Sequence, residues 1–432
     1  MDNKPQTFCL APWVHTYLSP QTERRMCCAS REPAQNFEQY IDTRAGTGKY
    51  IPITLEQHWN SEHMKSVRRR MMAGETLPEC EVCNDKLLNT SVYRSYFNSL
   101  FGDKYEYVLE NTSSDGTTSV RPVSWDYRFS NLCNFKCRMC GDMLSSAWES
   151  EQRQHNMINW QDPKNNWMKP EIKQQITEFQ DSQIEQEFAN AVESHQVEEV
   201  YWVGGEPLMY EQHWRYMKRI VELGDGNKLY ARYNTNLSRI DYRGVNLYSD
   251  ILGHLRDWQI CASLDGTQAI GEYIRTGLDY NQWLDNFRRG LEIASHRRQM
   301  RIDFTLTLPG LFEVERITRL AETLEVDILT KVVFSFSPDI ILSPLALPKE
   351  LLHPWVDEIL ASCTSPSMRD LLEQLKTRPT FQEQWPDTWS EALAKGKQRV
   401  LQLESIRQDK LTLADILSNR KEVYDWYNAI SS

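Results

Sequence analysis

The tightest constraint in these 432 residues is a run of three cysteines, Cys133, Cys137 and Cys140, within Asn131-Leu132-Cys133-Asn134-Phe135-Lys136-Cys137-Arg138-Met139-Cys140-Gly141. Three and then two residues separate the thiols, and at that spacing one short loop can wrap a corner of a four-iron, four-sulfur cube. Three thiolates leave the fourth iron without a protein ligand. An open metal position is where a cofactor or substrate binds, as at a catalytic zinc. A structural zinc is the plain alternative for such a cluster.

The other cysteines are unevenly placed. Of ten in all, five lie between Cys9 and Cys83, three form the run above, and Cys261 and Cys363 stand alone. The N-terminus lacks the apolar run of a secretory signal and no stretch of about 18 apolar residues occurs, so no membrane span is expected. A cytoplasmic location is therefore expected, where thiols bind metal or react rather than form disulfides. A net charge of −11 leaves no excess of cations for nucleic-acid phosphates or an anionic membrane.

Along the chain, short strand-like pieces at Phe8–Leu18 and Arg24–Ala29 precede helices at Ser61–Met72 and Val92–Leu100. The polar run Asn111–Thr118 reads as a linker. Strands are then expected at Val123–Phe129, Glu198–Val203, Lys228–Tyr233, Trp258–Leu264, Met300–Leu308 and Val326–Ser335. Helices are expected between them, at Met143–Arg153, Glu211–Leu223, Tyr248–Leu255, Asn281–Ser295 and Val314–Leu324, with an insertion at Asn156–Gln180. Such alternation implies βαβ units and a parallel sheet. Six units suit a partial (β/α)6 barrel of the TIM type better than a closed eight-fold one. Beyond Pro348 only helical patterns remain, at Leu351–Ala361, Met368–Lys376, Trp389–Leu403 and Leu413–Trp426. The expected division is 1–110, a cysteine-rich domain; 120–345, the barrel; and 346–432, a helical appendage.

With its triad on the loop after the first expected barrel strand, the segment Val123–Ser337 resembles the radical S-adenosylmethionine (SAM) superfamily. Met139 stands where that family usually has an aromatic residue. Further segments match at successive strand ends. Gly204-Gly205-Glu206-Pro207 corresponds to the stretch that meets the amino group of SAM, Asn236 in Asn234-Thr235-Asn236 to a polar contact, and Ser263 and Asp265 to ribose-hydroxyl partners. Arg275 looks like a clamp for the SAM carboxylate. The pattern of Cys9, Cys27, Cys80 and Cys83 is similar to the twitch domain, a shortened relative of the SPASM domain that carries an auxiliary cluster. Here it precedes the barrel rather than following it. A second 4Fe–4S cluster and a four-cysteine zinc site both remain open, as does Cys28 in place of Cys27.

The resemblance implies an enzyme in which a 4Fe–4S cluster cleaves SAM to a 5′-deoxyadenosyl radical. That radical would abstract hydrogen from a peptide or small-molecule substrate, in an oxidoreductase or other radical modification. It also implies a reductase, flavodoxin or ferredoxin as electron donor. The competing readings are a non-catalytic iron–sulfur electron or cluster carrier and an RNA-modifying radical SAM enzyme, the latter disfavoured by the acidic charge. His15 reads as a packed or surface residue, Cys261 as a small buried hydrophobe, and Arg68-Arg69-Arg70 as a solvated helix face.

Overall fold

The computed structural model describes residues 5–31, 50–84, 92–333, 337 and 339–431. Contacts divide the chain into two compact units, Met1–Leu132 with Glu149–Arg232 and Ser249–Trp258, and Cys133–Trp148 with Tyr233–Tyr248 and Gln259–Ser432.

In the first unit, β1 is His15–Leu18, β2 Arg24–Arg25, β3 Ser124–Tyr127 and β4 Glu199–Trp202, with Tyr230–Arg232 of β5 (Tyr230–Thr235) at the end of the row. Their order is β2-β1-β3-β4-β5. The β1–β3 and β3–β4 pairs are parallel; β1–β2 is antiparallel. Strand alternation sends Trp125 and Tyr127 to one face, where the Trp125 ring lies 5.6 Å from Phe188 on the helix Glu185–Glu193. Ser124 and Asp126 go to the other face and are fully buried. The expected strand Phe8–Leu18 is shorter than its composition suggests. Pro12, which favours the first turn of a helix, sits in the single turn Ala11–Val14, and only His15–Leu18 extends. Likewise Arg24–Ala29 contributes only Arg24–Arg25.

The expected insertion at Asn156–Gln180 is largely helical. Helix Pro170–Phe179 runs through a π segment, Gln180–Ile184, into Glu185–Glu193. Its polar composition concealed a buried stripe of Ile176, Ile184, Phe188, Ala191 and Val192. Tyr248–Leu255, expected as an α-helix, is a π turn at Leu247–Ile251 followed by a 3-10 turn at Leu252–His254.

In the second unit, Tyr233–Thr235 of β5, Gln259–Ser263 of β6 (Asp257–Ser263), β7 (Met300–Leu306) and β8 (Asp327–Val332) follow in that order. The β6–β7 and β7–β8 pairs are parallel. The last residues expected for this strand, 334–335, lie outside the described residues. After Pro348 come the helices Lys349–Ser362, Pro366–Thr377, Phe381–Gln384, Trp389–Arg407, Leu413–Leu417 and Lys421–Ala429. Together the elements make a mixed α/β architecture with a mostly parallel sheet, consistent with a partial barrel. Among the described residues, no helix is long and apolar enough to cross a membrane.

The N-terminal part of the first unit packs around Phe8, Leu10, Trp13, Met64, Val67, Met71, Phe97 and Phe101. Arg68, expected in solvent, is instead fully buried on the helix Glu62–Met72. It donates to Pro12 O at 2.9 Å and Asn60 Oδ1 at 2.9 Å and lies 4.9 Å from the Trp59 ring. Burial pulls its pKa down to about 9. A guanidinium enters this core because carbonyl and amide oxygens meet its Nε and Nη1.

Gly116 holds the linker against that helix. Its φ is +88°, and a Cβ there would collide with the Lys65 carbonyl, a backbone atom that cannot swing aside. Gly116→Ala is therefore expected to destabilise the protein by roughly 1–3 kcal/mol. Urea unfolding measures this, and an unchanged midpoint would refute the strain argument.

Candidate functional site

The triad loop belongs to the second unit, where two backbone bonds fasten it to the segment around Arg275. Lys136 N donates to Thr276 O and Arg138 N to Ile274 O, each at 2.8 Å. Gly277, at φ +111°, permits this approach, since a Cβ would lie 2.9 Å from the Phe135 ring. Side chains complete the brace. Trp148 Nε1 donates to Cys137 O at 2.7 Å, Ser145 Oγ to Phe135 O at 2.6 Å, and Cys133 N to Ser146 Oγ at 3.2 Å.

Two donors face the sulfurs. Arg275 Nη1 stands 3.8 Å from Cys137 Sγ, and Asn236 Nδ2 stands 4.0 Å from Cys133 Sγ while bonding Asn134 Oδ1 at 2.9 Å. The Cys140 thiol lies 3.8 Å from Gly141 O. Burial pushes the Cys137 thiol up to about 12, with Arg275 opposing, and also raises Cys140. Bound iron would reverse that preference, because a coordinating thiol is deprotonated by the metal charge. The donor set fits a cluster: three thiols on one loop, two of them met by N–H donors of the kind that tune cluster potentials.

Asp265 is fully buried and lies 2.7 Å from Arg275 Nε. It also accepts from Thr305 N at 2.8 Å. Its carboxylate therefore orients Arg275. Ser263, the other residue expected on this strand face, is half-buried at the end of β6.

The Gly204-Gly205-Glu206 turn belongs to the first unit. Gly204 takes φ +122°, and a Cβ on Gly205 would collide with Leu132 O. Only glycine lets the turn close on Asn131 and Leu132. Glu206 N donates to Leu132 O at 2.7 Å, and its buried carboxylate accepts from Leu208 N at 3.0 Å. Tyr210 OH ties the turn to Ser130 O at 2.7 Å and accepts from Gly205 N at 2.8 Å.

Cys9, Cys27, Cys80 and Cys83 line one pocket in the first unit, with Ala11, Met26, Met71 and Phe97. Cys28 is not among its lining residues; its thiol pairs with Tyr93. Burial pushes Cys9 up to about 12 and Cys80 to about 11. Four thiols in an apolar pocket suit a fully ligated cluster. Among the described residues, no three His, Cys, Asp or Glu side chains stand at the spacing of a single metal ion. The thiols thus share a pocket rather than a ready tetrahedral site.

Sequence reasoning missed the clasp on the triad loop from the C-terminal helices. Arg407, ending the helix Trp389–Arg407, donates to Lys136 O and Thr276 Oγ1, each at 3.1 Å, and stacks 4.6 Å from the Trp148 ring. Arg138 pairs with Asp409 and donates to Tyr273 O at 2.9 Å. Nothing in the spacing of residues 138, 407 and 409 signals these contacts. Arg138, inside the triad, was the one visible hint.

Arg275→Gln should leave Asp265 as a buried charge without its cation, at a cost of roughly 3–5 kcal/mol. Asp265→Asn on top should recover most of it, since the uncompensated charge is gone. Chemical unfolding of both variants tests this; a single variant within about 1 kcal/mol of the parent would contradict it.

Among solved structures, Streptococcus suis SuiB bound to S-adenosylmethionine is 14% identical, covering 66% of this chain and 64% of that one, with a TM-score of 0.34. SuiB bound to the precursor peptide SuiA is 15% identical, with the same coverages and a TM-score of 0.33. The chain thus spans about 64% of the length of these SuiB chains. No curated protein matches it. Residues 127–324 match the model of the radical SAM superfamily, a span that holds the cysteine triad, so the chain carries a radical SAM domain.

Proposed function

We propose that this chain is a radical SAM enzyme in which Cys133, Cys137 and Cys140 hold a 4Fe–4S cluster with one iron open to SAM. The observation that carries the reading is the braced three-thiol loop within the matched domain, with Arg275 at Cys137 and Asn236 at Cys133. When bound, the cluster and SAM supply one-electron cleavage of a sulfonium, whose radical product takes a hydrogen atom from the substrate.

The chain's own residues do the positioning. Asp265 fixes the Arg275 guanidinium, which favours thiolate over thiol at Cys137 and supplies a cation to the carboxylate of SAM. The resemblance assigns Gly204, Gly205 and Glu206 to the methionine part of SAM, and Ser263 and Asn236 to polar contacts with it. Cys9, Cys27, Cys80 and Cys83 hold a second 4Fe–4S cluster in a twitch-like domain, passing electrons or bracing the fold. The substrate is a peptide or small molecule, and a flavodoxin, ferredoxin or reductase in the cytoplasm supplies the electron.

Anaerobically reconstituted protein with dithionite should convert SAM to 5′-deoxyadenosine, and Cys137→Ala should abolish it. Undiminished product from that variant, read by chromatography, would overturn the assignment. Metal analysis should find about eight irons per chain, falling to about four in Cys80→Ala/Cys83→Ala. About four irons and one zinc in the parent protein would remove the second cluster and leave the first in place.

A further inference from the structure

One face of the first unit's sheet is unusually polar for buried parallel strands. The register pairs His15 with Ser124, Tyr17 with Asp126 and Ser124 with Glu199. Alternation therefore puts His15, Tyr17, Ser124, Asp126 and Glu199 on the same face. Ser124, Asp126 and Glu199 are fully buried and His15 is nearly so.

The carboxylates here are fully engaged. Asp126 accepts from Arg128 through both oxygens, Nε at 3.1 Å and Nη2 at 3.2 Å. Glu199 Oε1 accepts from Tyr96 OH at 3.0 Å and Arg232 Nε at 2.8 Å, and Oε2 accepts from Ser124 Oγ. Ser124 Oγ in turn meets His15 Nδ1 at 2.7 Å. Burial holds His15 neutral, pulling its pKa down to about 3.

The guanidiniums are only partly engaged. A guanidinium carries five N–H groups. Arg232 uses Nε, leaving the fork of Nη1 and Nη2, and Arg128 keeps Nη1. Both side chains retain some exposure, 15% for Arg128 and 19% for Arg232. Aromatic rings hold them still: Arg232 lies 4.0 Å from Tyr96 and 4.2 Å from Tyr201, and Arg128 lies 4.9 Å from Tyr17. Asp126, held by Arg128, follows the Trp125–Val200 pair in the parallel register and so lies opposite Tyr201, over whose ring Arg232 stands, which makes the two arginines neighbours on this face.

We propose that Arg128 and Arg232 form a binding site for a carboxylate of the substrate, an assignment that rests on the enzymatic reading above and names its substrate class. Among the described residues the carboxylates of this face are already engaged, so what they leave open is N–H donors, which suit an anion rather than a cation or an amine. Each arginine is already matched by one carboxylate, so a monoanion suits the site better than phosphate, which brings nearly two charges. A planar carboxylate also matches the end-on fork of Arg232. An acidic side chain, a peptide C-terminus or a free organic acid can supply it.

The test is calorimetric titration of the reconstituted protein with glutarate and with inorganic phosphate. Glutarate should bind more tightly than phosphate. Arg232→Gln should weaken glutarate at least tenfold, and so should Arg232→Lys, whose point charge lacks the fork. Because Arg232→Gln leaves Glu199 buried without its cation, a change that threatens folding, a second measurement uses the parent protein. Phenylglyoxal should label Arg128 and Arg232, and glutarate should protect both, as read by peptide mass spectrometry. Unaltered labelling under saturating glutarate, undiminished affinity in folded Arg232 variants, or tighter binding of phosphate would each overturn the proposal. Formation of 5′-deoxyadenosine by the parent protein is scored separately. Glutarate binding without it would keep the site and sink the radical reading.

Discussion

The Arg275–Asp265 pair sets the geometry of the second unit's site. Asp265 is fully buried, pinned by Thr305 N from one side and facing Arg275 Nε from the other. The opposite edge of the guanidinium points at Cys137 Sγ. Desolvation alone would favour a neutral acid at Asp265 and a neutral thiol at Cys137. One cation between two such groups favours both anions at once. Two backbone bonds flanking Arg275 then carry its position into the triad loop. Loss of either charge leaves the other buried and unmatched, a more serious defect than losing a surface ion pair.

The C-terminal helices extend the same logic. Arg407 donates to the Lys136 carbonyl of the loop and lies on Trp148, which itself holds the Cys137 carbonyl. A loop with three thiols has little apolar surface with which to fix its own shape. Rigid aromatic and guanidinium groups from distant parts of the chain supply that shape instead, and such preorganisation is what the proposed cluster would require of its ligands.

In the first unit, polar burial takes two forms. Around Cys9, Cys27, Cys80 and Cys83 the lining is mostly apolar, and burial pushes the Cys9, Cys27 and Cys80 thiols toward their neutral form. On the sheet face, by contrast, His15, Ser124, Glu199 and Arg232 form a continuous hydrogen-bonded chain, and Asp126 with Arg128 a closed pair. Such a network is tolerable in a core because nearly every member is satisfied. The exceptions are the outer N–H groups of the two arginines.

The cysteine spacing, the glycines at 204 and 205 and the alternation of strands with helices were legible in the sequence, because each is a local rule. Thiol spacing limits which loop can wrap a cluster, glycine is needed where backbone meets backbone, and period follows from strand geometry. Other features depend on residues far apart in sequence. Pro12 shortened the first strand, and the polar stretch 156–180 hid a helix whose buried stripe shows only once Phe188 meets Trp125. Arg68 passed for a solvent residue because its acceptors, Pro12 O and Asn60 Oδ1, are brought to it by folding. Likewise Asp265 became the partner of Arg275, and Arg407 the clasp of the triad loop, through contacts across as many as 271 positions. Sequence alone determined which atoms were available for chemistry. The tertiary structure decided which charge stands beside which thiol, because burial and pairing depend on distances that the order of residues does not specify.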